Sequence, residues 1–175
     1  MNTDTKTDFV TNVLPPEAIF LIGFPGSGKS TWLAEFFAKL PGRAYTVLSS
    51  DALIYELATR DGIDYTTAHG LYHETIIPEL VARMSSAVMN DHSIIIDQTN
   101  LDPVVRASKL AMIPAHYHKK AIVFDVPLET LIARQNAPER LAMGKVIPED
   151  VFVNMQAIYR KPDLNEFDEI VTLAR

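Results

Sequence analysis

Eight residues, Gly23-Phe24-Pro25-Gly26-Ser27-Gly28-Lys29-Ser30, constrain this chain more than any other feature. They satisfy the spacing G-x-x-x-x-G-K-[ST] in full, and their surroundings are those the spacing requires. Ala18 to Ile22 is a short apolar run that reads as a buried strand. Behind the loop, Trp32, Leu33, Phe36, Phe37 and Leu40 recur at helical spacing until Pro41-Gly42 ends the helix. Glycines let a strand-to-helix loop curl so that successive N–H groups converge on phosphate oxygens, and the helix adds its positive N-terminal end. The pattern implies a cradle for ATP built from Gly23, Pro25, Gly26, Ser27, Gly28, Lys29, Ser30 and Thr31. Lys29 is placed to reach the β- and γ-phosphates, and the Ser30 hydroxyl to ligate Mg²⁺.

The rest of the chain alternates in the same way. Tyr45 to Leu48 reads as a second strand, and Ser49-Ser50-Asp51 opens a helix closed by Asp61-Gly62. From Tyr65, the residues Ala68, Tyr72, Ile76, Leu80, Met84 and Ala87/Val88 predict one long helix, kinked at Pro78. Ser93 to Ile96 is a third strand, ending in Asp97, and Pro103 begins a helix to about Met112. A fourth strand is predicted over Ala121 to Phe124, then a helix from Leu128 to Gln135, a basic flap over Asn136 to Val146, a helix from Pro148, and a fifth strand over Glu169 to Thr172. Strands alternating with helices predict a three-layer α/β P-loop kinase fold with a five-stranded parallel sheet and a mobile basic lid. Residues 1–16 read as a flexible leader and 17–175 as a single kinase domain.

Composition enters mainly by exclusion. The 175 residues contain no cysteine, so disulfides and thiolate zinc sites are ruled out. No apolar run approaches the roughly 20 residues that span a bilayer, and the Thr/Asp-rich start has no signal core, which predicts a cytoplasmic setting. The net charge of −6 disfavours extended gripping of a nucleic-acid backbone but leaves room for a short acceptor in a local basic cleft. His69, His73, His92, His116 and His118 lack H-E-x-x-H spacing and are taken as ordinary surface or core histidines.

Three further positions bear on chemistry. Asp97, at the end of Ile94-Ile95-Ile96, is where a second metal-binding acid sits in such folds; the bland alternative is a turn or capping aspartate. Asp51 suits either a general base for an acceptor hydroxyl or a plain helix cap, and spacing alone leaves the two even. Arg134, Arg140 and Lys145 are candidate cations to close over a phosphoryl group in flight, with Lys145 equally at home on a solvated face.

Together these residues resemble the kinase domain of phage polynucleotide 5′-hydroxyl kinases, over about Ile19 to Tyr159. The phosphate loop through Thr31-Trp32, Ser49-Ser50-Asp51, Asp97-Gln98-Thr99-Asn100-Leu101-Asp102-Pro103 with Arg106, and Val123-Phe124-Asp125-Val126-Pro127 with Arg134 carry the likeness. The resemblance implies that Asp51 is the general base, that Arg134 contacts the donor phosphates, and that Arg106 is a substrate-side or structural contact. One departure stands out: where those kinases carry an arginine that grips the acceptor's 3′-phosphate, this chain has Ile54.

Asp97-Gln98-Thr99-Asn100-Leu101, Gly144-Lys145-Val146-Ile147-Pro148 and Phe167-Asp168-Glu169 are also similar to phage kinases that phosphorylate 5-hydroxymethyluracil within DNA, an early step of thymidine hypermodification. The expected partners are therefore ATP and a DNA or other nucleic-acid acceptor. A 5′-end kinase, a small-molecule kinase (nucleoside, nucleotide or sugar-nucleotide) and an ATP-driven switch are the competing readings.

Overall fold

The computed structural model describes residues 14–40, 42, 44–138, 147 and 149–174. Its centre is the apolar run expected to be a strand. β1 (Glu17–Ile22) lies between two parallel neighbours, β3 (Ile94–Asp97) and β4 (His118–Asp125). β2 (Thr46–Ser49) and β5 (Glu169–Ala174) complete an all-parallel sheet of five strands in the order β2-β3-β1-β4-β5. With both faces covered, β1 needs no polar alternation, and Ala18 to Ile22 are at most 2% exposed.

Side chains of β1 alternate between two cores, as the two-residue strand period requires. Ala18, Phe20 and Ile22 pack with Ile94, Ile96, Val123, Met84, Ile113 and Phe167 on one face. Ile19 and Leu21 pack with Ile95, Ile122 and Phe124 on the other, under Trp32, Leu33, Phe36 and Phe37 of α1 (Lys29–Lys39). A third, helical cluster joins Leu53, Ile54, Ala58, Ala68 and Ile76. It ties α2 (Ser50–Asp61) to α3 (Tyr65–Tyr72) and α4 (Ile76–Met89) beside the β2 edge.

Two expected boundaries are corrected. The single long helix from Tyr65 is two helices, broken at His73 to Thr75. Pro78 has no N–H and its ring collides with the carbonyl four residues back, so a continuous helix through it is disfavoured; it sits instead in the first turn of α4, where no donor is needed. β4 begins three residues before its apolar stretch. His118, Lys119 and Lys120 pair with Glu17, Ala18 and Ile19, and Glu169 on β5 holds Lys120 at 2.7 Å and His118 at 3.2 Å. Cross-strand charge pairing thus extends a strand that hydrophobicity alone would end early.

The remaining helices are α5 (Pro103–Leu110), α6 (Leu128–Gln135) and α7 (Glu149–Ile158). Of the expected leader, residues 1–13 lie outside the described residues, while the Pro16 carbonyl accepts from His118 N at 2.9 Å. Most of the expected flap, including Arg140 and Lys145, also lies outside them. No helix among the described residues is long and apolar enough to cross a membrane.

Candidate active site

The carboxyl ends of parallel strands, where ligands of α/β sheets bind, carry the candidate residues here. Leu21, Asp97 and Ser49 are in register across β1, β3 and β2, so the phosphate loop, Asp97 and Asp51 all emerge from one edge of the sheet.

The loop has the backbone its glycines were expected to supply. Gly26 (φ 81°) and Gly28 (φ 97°) are left-handed, a region that favours glycine, and Gly28 is the cap from which α1 starts. Gly23 is required by space: a Cβ there would lie 2.7 Å from Ser27 Oγ and 2.9 Å from Phe124 Cβ. Phe24 anchors the loop outward, its ring 5.4 Å from Phe152 of α7 and 5.6 Å from Tyr159. Lys29 folds back over the curl, its Nζ donating to the carbonyls of Gly23 (2.8 Å) and Phe24 (3.0 Å).

Several observations fit this loop to a triphosphate and its metal. Ser27 is 1% exposed, yet its Oγ has no hydrogen-bond partner among the described residues, so a buried polar atom is left for a phosphate or its hydration. The cradle leaves no room for a Cβ at Gly23, the Lys29 ammonium folds over it, Ser30 follows in the first turn of α1, and Asp97 ends the strand beside β1. No cluster of three or more His, Asp or Glu suited to a metal occurs among the described residues. A hydroxyl with one carboxylate and phosphate oxygens is the sparse donor set that suits Mg²⁺, which keeps much of its water.

Arg134 and its neighbour close the loop from α6. Arg134 Nη1 donates to Gly26 O at 2.9 Å, and Gln135 Nε2 to Pro25 O at 3.0 Å. The sequence had marked Arg134 but not Gln135, whose clue would have been a polar residue on the inward face of an amphipathic helix.

The reading of Asp51 as the helix cap does not match α2. The cap of α2 is Ser49, whose Oγ accepts from Ala52 N at 3.3 Å, and Asp51 stands one residue inside the helix. Asp51 is exposed, and its Oδ1 accepts from the Tyr65 hydroxyl of α3 at 2.8 Å. Tyr65, 14 residues away in sequence, carries no local sign of meeting Asp51.

Two sequence inferences change with burial. Arg106 is 0% exposed, and its guanidinium is consumed within the fold. Nε and Nη2 bind Glu166 as a fork at 2.7 Å each, while Nη1 donates to the carbonyls of Asn100 (3.2 Å), Leu101 (3.0 Å) and Arg160 (3.0 Å). Of the two places expected for it, substrate-side or structural, these contacts match the structural one. Ile54, at 1% exposure, lies in the α2–α3–α4 cluster. A core side chain therefore fills the position.

Behind Asp97 the D-Q-T-N-L segment is held by a lysine the sequence reading passed over. Lys109 Nζ donates to Gln98 Oε1 (2.5 Å) and Asn100 Oδ1 (2.6 Å), and burial lowers its ammonium to about 8. Asn100, left-handed at φ 48°, turns its Nδ2 onto the carbonyls of Leu21 (2.8 Å) and Ile96 (3.1 Å). Thr99 O accepts from Gly23 N at 3.0 Å, which joins this turn to the phosphate loop.

A five-stranded parallel sheet of this order, with helices on both faces and this loop after the central strand, is the P-loop kinase fold. Within that class the chain belongs to the AAA domain family, whose model matches residues 19–162.

Among curated proteins it is 23% identical over 173 residues to the heterogeneous nuclear ribonucleoprotein U-like protein 2 of Mus musculus. The match takes in 93% of this chain but 23% of that protein, so the chain spans under a quarter of its length.

Among solved structures it is similar to a kinase candidate from Chloroflexus aurantiacus, with a TM-score of 0.65 at 17% identity, covering 93% of this chain and 86% of that one. Kti12 from Chaetomium thermophilum, in complex with ADP-AlF3, has a TM-score of 0.61 at 17% identity, covering 90% and 88%. A chain of the Pnkp1/Rnl/Hen1 RNA repair complex has a TM-score of 0.54 at 21% identity, covering 84% and 48%. These likenesses are of fold.

Proposed function

We propose that this protein is an ATP- and Mg²⁺-dependent kinase that transfers the γ-phosphate to a hydroxyl on DNA, with the 5-hydroxymethyl group of 5-hydroxymethyluracil as the favoured acceptor. The observation that carries the kinase reading is Asp51. Ser49 has taken over the capping that would explain an aspartate there, and Tyr65 holds the carboxylate at the sheet edge shared with the phosphate loop.

In this reading Asp51 accepts the proton of the acceptor hydroxyl as its oxygen forms a bond to the γ-phosphorus. The bond from that phosphorus to the β–γ bridging oxygen breaks, and ADP leaves with the electron pair. The N–H groups of the loop and the Lys29 ammonium bind the donor phosphates. Arg134, already seated on Gly26, adds positive charge where the moving group spreads its negative charge. Ser30 and Asp97 would hold Mg²⁺, which would supply further charge neutralisation.

The acceptor preference is supported by Ile54. A terminal phosphate grip at that position would need a cation where this chain places a core side chain. An extruded base, which presents its hydroxymethyl group without a free strand end, makes no such demand. A second reading, transfer to a 5′-hydroxyl end, is favoured by the likeness in fold to a chain of an RNA repair complex. The deciding assay supplies labelled ATP with hydroxymethyluracil duplex, matched 5′-hydroxyl duplex and free nucleosides. Faster initial labelling of the hydroxymethyluracil duplex is expected. Preference for the 5′-hydroxyl selects the second reading, and release of free phosphate alone leaves an ATP-driven switch.

A further inference from the structure

We propose that a row of aromatic side chains starting at Asp51 seats the nucleobase of the DNA acceptor. The proposal deepens the kinase reading above and rests on it.

The row is made by two helices. Tyr65 and His69, four residues apart, share one face of α3, His73 caps the helix on the same side with its N–H on the His69 carbonyl, and Tyr55 meets them from α2. Tyr55 and Tyr65 lie with ring centroids 4.7 Å apart, Tyr65 and His69 6.0 Å apart, and His69 and His73 4.8 Å apart. The Tyr65 hydroxyl reaches Asp51, so one end of the row touches the proposed general base.

Tyr65 is half-buried and packs in part against the helical core cluster, but core packing does not account for the exposed rings of Tyr55, His69 and His73. The core face of α3 is given by Ala68 at 0% exposure and by Tyr72, packed with Leu53, Ile54, Ala58 and Ile76. Tyr55 is 40% exposed, and His69 and His73 are exposed as well. Among the described residues, a Cβ added at Gly70 would meet nothing within 4 Å, so the helix surface beside His69 is open.

The charges around the row select a flat, uncharged ring over a phosphate chain. No lysine or arginine belongs to it. Of the nearby carboxylates, Asp61 is engaged by Arg60 and Tyr72, and Asp64 caps α3 through Thr67, while Glu56 and Glu74 are exposed. A backbone phosphate laid here would meet carboxylates, whereas a base gains stacking on an aromatic face whatever its sequence. A 5-hydroxymethyl pyrimidine carries its hydroxyl one carbon from the ring. Stacked at the Tyr55–Tyr65 end, it would present that hydroxyl beside Asp51. Tyr65 is then a positioning residue, orienting the carboxylate through its hydroxyl.

The test uses the full chain with Tyr55→Leu, His69→Ala and Tyr65→Phe, measuring acceptor KM, ATP KM and kcat on hydroxymethyluracil and 5′-hydroxyl duplexes, with thermal unfolding alongside. Tyr55→Leu and His69→Ala should raise acceptor KM by roughly five- to a hundredfold, the loss of one stacked base, with ATP KM unchanged. Tyr65→Phe keeps the ring and should leave acceptor KM nearly unchanged. It should lower kcat and move the acidic limb of its pH profile upward, because the carboxylate loses a donor that favours its charged form. If wild type labels DNA while acceptor KM ignores both Tyr55→Leu and His69→Ala, the row is overturned and the DNA-kinase reading stands. If acceptor and ATP KM rise together with a lower melting temperature, the row is structural and the proposal is again overturned. If wild type labels no acceptor bearing a base, both fall.

Discussion

Arg134 reaches from α6 to the phosphate loop and donates its Nη1 to the carbonyl of Gly26 at 2.9 Å. A charged donor on a neutral carbonyl uses only part of a guanidinium that has five N–H groups, so the remainder can turn to a phosphate without Arg134 leaving its seat.

The first prediction follows from that seat. Arg134→Ala should lower kcat by roughly a hundredfold or more, the scale of losing one preorganised donor to a developing charge. Arg134→Lys should recover only part, since an ammonium lacks the planar fork. Gln135→Ala, which removes the bond to Pro25 but no charge, should change melting temperature more than kcat. Steady-state kinetics with unfolding curves on the three variants would check this; a near-normal kcat in Arg134→Ala would remove it from the phosphate site.

With Ser49 as the cap and Asp51 as the proposed base, a second, paired prediction follows. Ser49→Ala should cost about 1 kcal/mol of stability with kcat little changed, because a side-chain cap is lost. Asp51→Asn should do the reverse, lowering kcat by roughly 10²- to 10⁴-fold with ATP affinity retained. If Asp51→Asn melts early and turns over normally, the carboxylate belongs to the fold.

The third concerns the buried fork. Glu166→Ala would leave the guanidinium of Arg106 charged, 0% exposed and without its carboxylate. The expected cost is about 3–5 kcal/mol, read from denaturant unfolding. Arg106→Met, which leaves Glu166 unpaired and takes the donor from the carbonyls of Asn100, Leu101 and Arg160, should cost at least as much. Equal mild effects would mean the pair is solvated.

Local signals carried most of the architecture and the backbone of the phosphate loop, and non-local ones were invisible. The phosphate loop was legible because its chemistry is written in eight consecutive residues whose glycines answer to backbone angles. The strands around it showed as apolar runs, except at His118 to Lys120, where partners 49 residues away on β5 stabilise polar strand residues. Tyr65 on Asp51, Glu166 on Arg106 and Gln135 on Pro25 join positions 14, 60 and 110 residues apart. No period or spacing encodes such contacts. Arg106 is the instructive case: the resemblance leaves a substrate-side and a structural place open, and burial, which sequence does not show, bears on the choice.

The last prediction is a pH dependence set by Lys109, and its sign is opposite to that of an ordinary ion-paired lysine. Burial lowers its ammonium from 10.5 to about 8, so the folded chain gives up this proton before the unfolded chain does. Below about pH 8 both states hold the proton, and the contribution of this group to stability is constant. Between about 8 and 10.5 the unfolded state binds more protons, so stability from Lys109 rises with pH, by up to about 1.4 kcal/mol per unit. Tyr117 and Tyr159, both raised by burial, act the other way above about 10, since the folded state then holds the extra proton. The window for measurement is therefore pH 8 to 9.5. A neutral amine still has two N–H groups for Gln98 and Asn100, so the turn behind Asp97 should keep its shape across that window. Unfolding free energy measured against pH for wild type and Lys109→Met should give difference curves that diverge above pH 8, wild type gaining. Parallel curves would mean that Lys109 titrates as a solvated lysine and that water reaches the turn.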